Sequence, residues 1–188
     1  MPSTGCRLST ADERRETVLR TALGAFGAKG YYGTTTGEVA KAAGISQAYV
    51  YRLFPDKEAL FLAVVERCFT RIRESFGDGV AEAGGSSPEA VLHAMGDVYA
   101  RLIAEENALL LVQMHAQCAA VSEPAVREVL QRGYARTVEY VRGTSGATEA
   151  QVQGFFARGM LCHLMVAVDA AEVDAPWART LSAGIRRH

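Results

Sequence analysis

The chain contains few cysteines, which cross-link small folds, and few prolines, which interrupt helices. Its 188 residues include only five prolines and four cysteines. The cysteines, Cys6, Cys68, Cys118 and Cys162, lie far apart and form no Cys-x-x-Cys pair. This spacing is neither that of a zinc framework nor that of a disulfide-dense secreted domain, so we expect reduced thiols in an intracellular protein.

Long apolar segments are missing as well. The first fifteen residues contain no apolar signal-peptide core. The longest apolar run, residues 160–168, is interrupted by His163 and is far shorter than the roughly 20 residues that a membrane-spanning helix needs. We therefore expect a cytoplasmic protein with no membrane partner.

A strong charge of one sign is also absent, because the formal net charge is −1. The charge is nevertheless unevenly distributed. Residues 1–55 carry seven Lys or Arg against four Asp or Glu, a balance of +3, whereas the remainder carries thirteen against seventeen, a balance of −4. A mildly basic front on an acidic body permits phosphate binding by the front.

Apolar residues recur at helical spacing along nearly the whole chain, and alternating valine-rich runs are absent, so we predict an all-α fold of about nine helices. Glycines become frequent from Gly77 to Gly85, and residues 83–88 form the clearest loop. After a loose arm at 1–10, the predicted helices cover residues 11–28, 36–43, 47–54, 57 to beyond 72, 88–106, 108–121, 124–143, 149–171 and 176–188.

The stretch 34–57 carries the local signals of two short helices joined by a tight glycine turn. Thr35 and Glu38 are spaced as a capping box, in which each side chain accepts from the backbone N–H of the other residue. Ser46 is a good N-cap for the next helix. Pro55 ends that helix, because the residue before a proline is disfavoured in the α region.

This arrangement is typical of a helix-turn-helix, whose second helix enters the major groove with its first-turn residues against base edges. Those residues are Gln47, Ala48 and Tyr49. Gln47 can pair with adenine through two hydrogen bonds, and Ala48 is small enough to touch a thymine methyl group. Tyr51 and Arg52 are suited to phosphate contacts. A plain three-helix packing unit with surface tyrosines remains the alternative.

The same segment carries a series of motif residues, namely Gly30-Tyr31, Thr34-Thr35-Thr36, Val39-Ala40, Ala43-Gly44-Ile45-Ser46, Tyr51, Phe54-Pro55 and Lys57-Glu58-Ala59-Leu60. Together they resemble the N-terminal signature of the TetR family of bacterial repressors, over roughly residues 12–72. The resemblance implies that Thr36 and Lys57 contact phosphates, that Tyr51 contacts the DNA backbone, and that residues 47–49 read bases. The complete predicted DNA-contacting set is Thr35, Thr36, Ser46, Gln47, Ala48, Tyr49, Tyr51, Arg52 and Lys57.

Residues 73–188 contain no motif that fixes a function. The resemblance implies a helix-turn-helix DNA-binding domain at 12–72 and a helical domain at 73–188 that binds a small effector and dimerises through its last two long helices. A two-fold dimer also suits DNA geometry, since one short helix covers little DNA and paired helices about 34 Å apart read a palindrome. The alternative is that the apolar residues of those last helices belong to the core of a single chain.

A ligand pocket needs mostly apolar walls with a few polar anchors, and the second domain offers such residues. We expect a flat or lipophilic organic effector and no cofactor, although each candidate residue alone is also explained as ordinary core. The candidates are Met95, Tyr99, Met114, His115, Gln117, Cys118, Tyr134, Phe156, Met160 and His163.

A metal or thiol sensor is a further alternative, because His115 and Cys118 share a helical face and Cys162 and His163 lie on another apolar helix. Adjacent residues point about 100° apart around a helix, which makes joint ligation by Cys162 and His163 awkward. We therefore predict no metal site.

The sequence thus predicts a dimeric, ligand-responsive transcriptional regulator. We expect a repressor that binds a palindromic double-stranded DNA operator and is released by a small-molecule effector. The alternatives are an enzyme with a helical active site and a helical scaffold that binds no DNA. The sequence contains no HExxH, GxSxG, Walker loop or paired-carboxylate arrangement, so we predict no catalytic residue and no enzyme activity.

Overall fold

The computed structural model describes residues 11–85 and 87–183, and within these ranges it contains α-helices, one 3-10 turn and no strand. The predicted all-α class with about nine helices is confirmed. The predicted loose arm at 1–10, with Cys6, and the predicted end of the last helix lie outside the described residues. The helices are α1 (Ala11–Gly33), α2 (Thr36–Ala42), α3 (Gln47–Leu53), α4 (Lys57–Ala83), α5 (Pro88–Glu105), α6 (Asn107–Ala119), α7 (Pro124–Ser145), α8 (Glu149–Ala167) and α9 (Pro176–Ser182), with the 3-10 turn at Ala170–Glu172.

Helix α1 does not end before Gly30, as the sequence predicted, but continues through a kink to Gly33. Gly30 forms the kink with a left-handed φ of 70°, which a residue with a side chain rarely adopts. A Cβ at this position would lie 2.7 Å from Nδ1 of His115 in α6. The glycine therefore allows both the kink and the close approach of α6.

Helix α4 passes through the predicted glycine-rich stretch to Ala83. Gly79 serves helix packing, because a Cβ there would lie 2.8 Å from the Cα of Met95 in α5. Gly84 then ends α4 at a left-handed φ of 60°. The loop predicted at 83–88 therefore starts where expected. Helix α8 ends earlier than predicted, because Asp169 just beyond it has a left-handed φ of 49°.

The buried apolar side chains form two clusters, and α4 belongs to both. The first cluster joins α1, α2, α3 and the start of α4 to α6 and α7, and within it the rings of Phe26 and Phe61 meet edge-on at 4.8 Å. The second cluster joins the later part of α4 to α5, α7 and α8. The face of α4 that the sequence predicted is fully buried and consists of Leu60, Phe61, Val64, Val65, Cys68, Phe69 and Ile72.

Gly133 in α7 tests how tightly this interior is packed. A Cβ added there would lie 2.3 Å from Cδ2 of Phe69, whose buried ring packs edge-on against Tyr134. We expect Gly133→Ala to lower the free energy of unfolding by about 1–3 kcal/mol, because an overpacked ring forces its neighbours to move.

The matched control is Gly143→Ala in the same helix, where an added Cβ meets nothing within 4 Å. This change should raise the free energy of unfolding by about 0.5–1 kcal/mol, since alanine favours the helix over glycine. Urea unfolding of both variants measures the two effects. A Gly133→Ala protein as stable as the Gly143→Ala protein would contradict the packing described for α7.

Candidate DNA-binding surface and effector pocket

Side-chain caps fix the two short helices α2 and α3. Thr35 Oγ accepts a hydrogen bond from the Glu38 N–H at 3.2 Å, and Thr35 N–H donates to Glu38 Oε2 at 2.9 Å. The Ser46 hydroxyl accepts from the Tyr49 N–H at 3.2 Å. The backbone leaves the helical conformation at Phe54, before the proline. All these caps are the ones that the sequence predicted.

Helix α3 has a buried side and an exposed side. Val50 and, just after the helix, Phe54 are almost completely buried in the first apolar cluster. Gln47, Ala48 and Arg52 are exposed. Side chains that are predicted to contact DNA need this exposure. The helix therefore offers its first turn to a partner while its last turn anchors it.

Three of the predicted DNA-contacting side chains bind one another. Gln47 Nε2 donates to Thr36 Oγ at 2.9 Å, and Thr36 Oγ donates to the Tyr51 hydroxyl at 3.1 Å. Thr36 is 5% exposed, so its hydroxyl is held between the two partners. Because Nε2 of Gln47 carries two hydrogens, the bond to Thr36 uses one of them, and the other can act with the amide oxygen in the predicted pair of hydrogen bonds to adenine.

Two arginines flank Tyr49, which is half-buried at the start of α3. Arg14 in α1 donates to the Tyr49 hydroxyl at 3.4 Å, and its guanidinium lies 5.8 Å from the ring centroid. The Arg52 guanidinium lies 5.5 Å from the same centroid. Sequence reasoning missed Arg14, because nothing in the motif shows that α1 brings this residue beside α3.

Lys57 is the first residue of α4, and its side chain packs against Tyr31 of α1. Its Nζ donates to the Tyr31 carbonyl at 3.0 Å and lies 4.6 Å from the Tyr31 ring centroid. Asp56 caps the helix by accepting from the Ala59 N–H at 2.7 Å. A fixed ammonium group beside the positive end of a helix suits the phosphate contact that the resemblance predicts.

A cavity of about 130 Å³ lies between α4, α5, α6, α7 and α8. Six aromatic rings supply much of its apolar wall, those of Phe69, Phe76, Tyr99, Tyr134, Phe155 and Phe156. Of the effector-binding candidates predicted from the sequence, the cavity brings together Tyr99, Tyr134, Phe156, Met160 and His163.

The other candidates lie elsewhere. Met95 is fully buried in the second apolar cluster, and His115 packs against Gly30. Met114 is half-buried, whereas Cys118 is exposed on α6. Gln117 does not line the cavity, but its Nε2 donates to the hydroxyl of the cavity residue Tyr134 at 2.8 Å.

The cavity wall contains a chain of polar side chains that starts at Gln113, which the sequence reasoning did not select. Gln113 Nε2 lies 3.2 Å from the Tyr99 hydroxyl, which in turn lies 3.1 Å from Nε2 of His163. Burial raises the pKa of Tyr99 and lowers the pKa of His163, so both side chains are neutral near pH 7. An amide side chain directly after the apolar run 108–112 was the sequence signal for Gln113.

Within residues 11–85 and 87–183, no group of three or more His, Cys, Asp or Glu side chains could hold a metal ion. The metal-sensor alternative therefore receives no support from this part of the chain. In the same ranges, no helix combines the length and the apolar character needed to cross a bilayer.

Two short helices with an exposed first turn, joined to a helical body, are typical of helix-turn-helix DNA-binding proteins. Residues 18–64 match the family described as bacterial regulatory proteins, tetR family. The chain is 32% identical over 123 residues to the HTH-type transcriptional regulator AcrR of Shigella flexneri, covering 65% of this chain and 57% of that one. It is 34% identical over 65 residues to RutR of Escherichia coli K12, covering 35% and 31%.

Solved structures share the fold. A TetR-family transcriptional regulator from Agrobacterium tumefaciens superposes with a TM-score of 0.67 at 18% identity, covering 93% of this chain and 94% of that one. FadR of Bacillus subtilis, solved with stearoyl-CoA, gives a TM-score of 0.65 at 17% identity, covering 91% and 99%.

The family match at residues 18–64 and the sequence relatives support a TetR-family regulator. The chain spans just over half the length of AcrR and less than a third of RutR in those sequence matches. The similarity to RutR lies in about a third of this chain, and the matched family segment covers α2, α3 and parts of α1 and α4.

The pKa of Glu38 tests the capping box of α2. Hydrogen bonds from the Lys29 ammonium group at 2.5 Å and from the Thr35 N–H lower the pKa of this carboxyl group to about 2. The pKa of Glu38 in the folded protein is below its pKa in the unfolded chain, which is about 4.3. Ionised Glu38 therefore stabilises the folded protein at pH values above about 4.3. The stabilisation is lost as the pH falls towards about 2.

We therefore expect the stability difference between the wild type and Glu38→Gln to shrink as the pH is lowered from about 6 to about 2. Thermal unfolding at each pH measures it. Lys29→Met should move the loss of stabilisation to higher pH, because it removes the largest cause of the lowered pKa. A difference that stays constant over this range would contradict the geometry of the box.

Proposed function

We propose that the protein is a dimeric, ligand-responsive transcriptional repressor. Each subunit reads half of a palindromic operator through α3, and a small molecule in the cavity releases the DNA. The observation that carries the proposal is the exposed first turn of α3, flanked by Arg14, Arg52 and Lys57, in one chain with an apolar cavity. Residues 12–72 form the DNA-binding domain and residues 73–188 the effector-binding and dimerisation domain, and the protein acts in the cytoplasm.

The DNA contacts divide into two groups. Gln47, Ala48 and Tyr49 read base edges, and the hydrogen bond to the Thr36 hydroxyl positions the Gln47 amide. The remaining predicted residues, Thr35, Thr36, Ser46, Tyr51, Arg52 and Lys57, position the protein on the sugar-phosphate backbone.

Effector release requires that the ligand binds two states of the protein with different affinity. Helix α6 is suited to link the cavity to the DNA-binding domain, because Gln113 lines the cavity while His115 packs against Gly30 of α1. The complex of FadR with stearoyl-CoA supports the idea that a helical body of this fold holds a ligand. The sequence relatives named above are transcriptional regulators, and we assign no catalytic residue to this chain.

The DNA-binding proposal predicts two kinds of variant. Gln47→Ala and Tyr49→Ala should lose affinity mainly for the specific site, by about 1–3 kcal/mol, because they contact bases. Lys57→Ala should weaken binding to all DNA sequences and reduce the slope of log affinity against log salt by about one, because it contacts a phosphate. Gel-shift titration with DNA from around the gene, at several salt concentrations, measures both effects.

The control for charge is Arg142→Ala, which removes an exposed cation near the end of α7, outside the proposed DNA-binding domain. It should leave specific affinity and salt slope unchanged. If the protein shows no salt-sensitive, sequence-selective complex, the repressor proposal fails. An enzyme or scaffold that uses the cavity for another purpose would then be the better reading.

The dimer proposal rests on an exposed apolar surface along α8 and α9. Met160, Leu164, Val166, Val168 and Trp177 are each 40–48% exposed in the single chain. Met160, Leu164 and Val168 repeat every four residues along one face of α8, and an exposed apolar stripe of this kind marks a protein interaction surface. The two-fold symmetry of a palindromic operator requires a two-fold protein.

Leu164→Glu should therefore convert the dimer to a monomer, because it places a charge in an apolar interface. Sedimentation equilibrium measures the mass, and operator affinity should fall together with it. Gln131→Glu, which adds the same charge to an exposed position of α7, should remain dimeric. A wild-type protein that sediments as a monomer at micromolar concentration would contradict the dimer.

A further inference from the structure

The Tyr49 hydroxyl has one hydrogen-bond partner in the part of the chain that the structure describes. Nη1 of Arg14 in α1 donates to it at 3.4 Å. A guanidinium group only donates, so the phenolic oxygen must be the acceptor in this bond. The hydroxyl hydrogen therefore takes no part in the bond to Arg14 and is left to donate elsewhere.

Buried residues next to the two partners hold them together. Val18, one turn after Arg14 in α1, and Val50, directly after Tyr49 in α3, are almost completely buried in the same apolar cluster. Arg52, nearly one turn after Tyr49, places a second guanidinium 5.5 Å from the ring centroid. Because α1 and α3 share this cluster, Arg14 and Tyr49 meet although they are 35 residues apart.

The surroundings of the Tyr49 ring offer the hydroxyl hydrogen no carboxylate. Tyr49 lines a surface hollow between α1 and the turn before α3, together with Arg14, Ser46 and four further described side chains, none of them acidic. The Ser46 hydroxyl accepts from the Tyr49 N–H at 3.2 Å, and no described residue accepts from the Tyr49 hydroxyl. Since Gln47 and Ala48 beside it are exposed, the hydroxyl hydrogen can reach an acceptor on a molecule that lies against the first turn of α3.

The positive charge of Arg14 also determines which kind of group can approach the Tyr49 hydroxyl. A hydroxyl that accepts from a cation is polarised and becomes a stronger donor. Its oxygen becomes a poorer acceptor for a second N–H group, because that group would have to point its positive hydrogen towards the guanidinium. The hydroxyl is therefore suited to a hydrogen-bond acceptor and unsuited to an amino group.

The major groove of DNA presents both kinds of group. Guanine O6 and thymine O4 are keto oxygens, which accept, whereas adenine N6 and cytosine N4 are amino groups, which donate. The purine N7 accepts in both adenine and guanine, so a contact to N7 does not separate these two bases. A donor on the protein thus distinguishes keto bases from amino bases only where it meets O6 or O4.

We propose that Tyr49 selects a guanine or a thymine in the operator by donating its hydroxyl hydrogen to the keto oxygen, and that Arg14 is the positioning residue that holds the hydroxyl as a donor. The inference rests on the proposed function, in which the first turn of α3 reads base edges. It specifies the chemical class of the base that Tyr49 reads, and it adds a residue of α1 to those that determine specificity.

The test uses gel-shift titration of the full chain on its operator, with each base pair of one half-site replaced in turn. At one position the wild type should bind guanine more tightly than adenine, or thymine more tightly than 5-methylcytosine, which retains the thymine methyl group. The expected difference is about three- to tenfold, the effect of one hydrogen bond. Tyr49→Phe should abolish the preference at that position and leave the preferences at other positions unchanged.

Variants of Arg14 test its positioning role. Arg14→Met should reduce the same base preference, because the hydroxyl then accepts as readily as it donates, whereas Arg14→Lys retains a charged donor and should keep part of it. In the Tyr49→Phe protein, Arg14→Met should cause no further loss of base preference. The matched control is Arg20→Met, which removes the same charge from an exposed position of α1 beside α4 and should leave the preference intact.

An arginine that only contacts a phosphate gives a different result. Arg14→Met would then weaken binding to every sequence by the same factor and preserve the base preference, which would overturn the positioning role. A preference for an amino base, equal affinity for the two purines, or no position at which Tyr49→Phe has an effect would overturn the keto contact. These outcomes all occur in a protein that binds its operator selectively, whereas failure of the proposed function gives no selective complex.

Discussion

The burial of Val50 and Phe54 holds the DNA-facing helix in place, and the rest of the reading surface depends on it. Helix α3 has seven residues, and isolated helices shorter than roughly 12 residues are marginal in water. The helix exists because its last turn enters the apolar cluster shared with α1 and α4, while Ser46 caps its first turn. The side chains of that first turn are thereby presented to a partner without contributing to the core.

The tight packing of α4 and α6 also connects the DNA-binding helices to the cavity. Helix α4 contributes to both apolar clusters, and α6 lies against α1 at two close contacts. A Cβ at Gly27 would lie 3.3 Å from Ala108, and a Cβ at Gly30 would clash with His115. Because these two contacts leave no room for an added methyl group, we propose that a shift of α6 is transmitted to α1. Gln113 places the polar anchor of the cavity on that same helix.

Signals that act over a few residues could be predicted from the sequence. The caps at Thr35 and Ser46 and the buried stripe of α4 follow from spacings of three or four residues, and the structure shows all of them. Contacts between distant residues could not be predicted. Tyr99 and His163 are 64 residues apart, and Thr36 and Gln47 bind each other across the turn.

Periodicity also fails to separate a core residue from a cavity wall. Met95 and Tyr99 are one turn apart on α5. The backbone of Met95 packs closely against Gly79 of α4, whereas Tyr99 lines the cavity. Both positions fit the same apolar spacing. The spacing of apolar residues shows which face of a helix is buried, but it does not show whether another side chain or a cavity lies against that face. The glycines of α4 were similarly ambiguous, since only the structure shows that Gly79 admits α5.

We propose that two copies of α3 in one dimer read DNA together. Hydroxyl-radical footprinting of DNA from beside the gene tests it most directly. We expect two protected half-sites related by two-fold symmetry, with centres one helical turn or a multiple of it apart. A single protected patch, or no protection at protein concentrations that saturate the DNA, would contradict it.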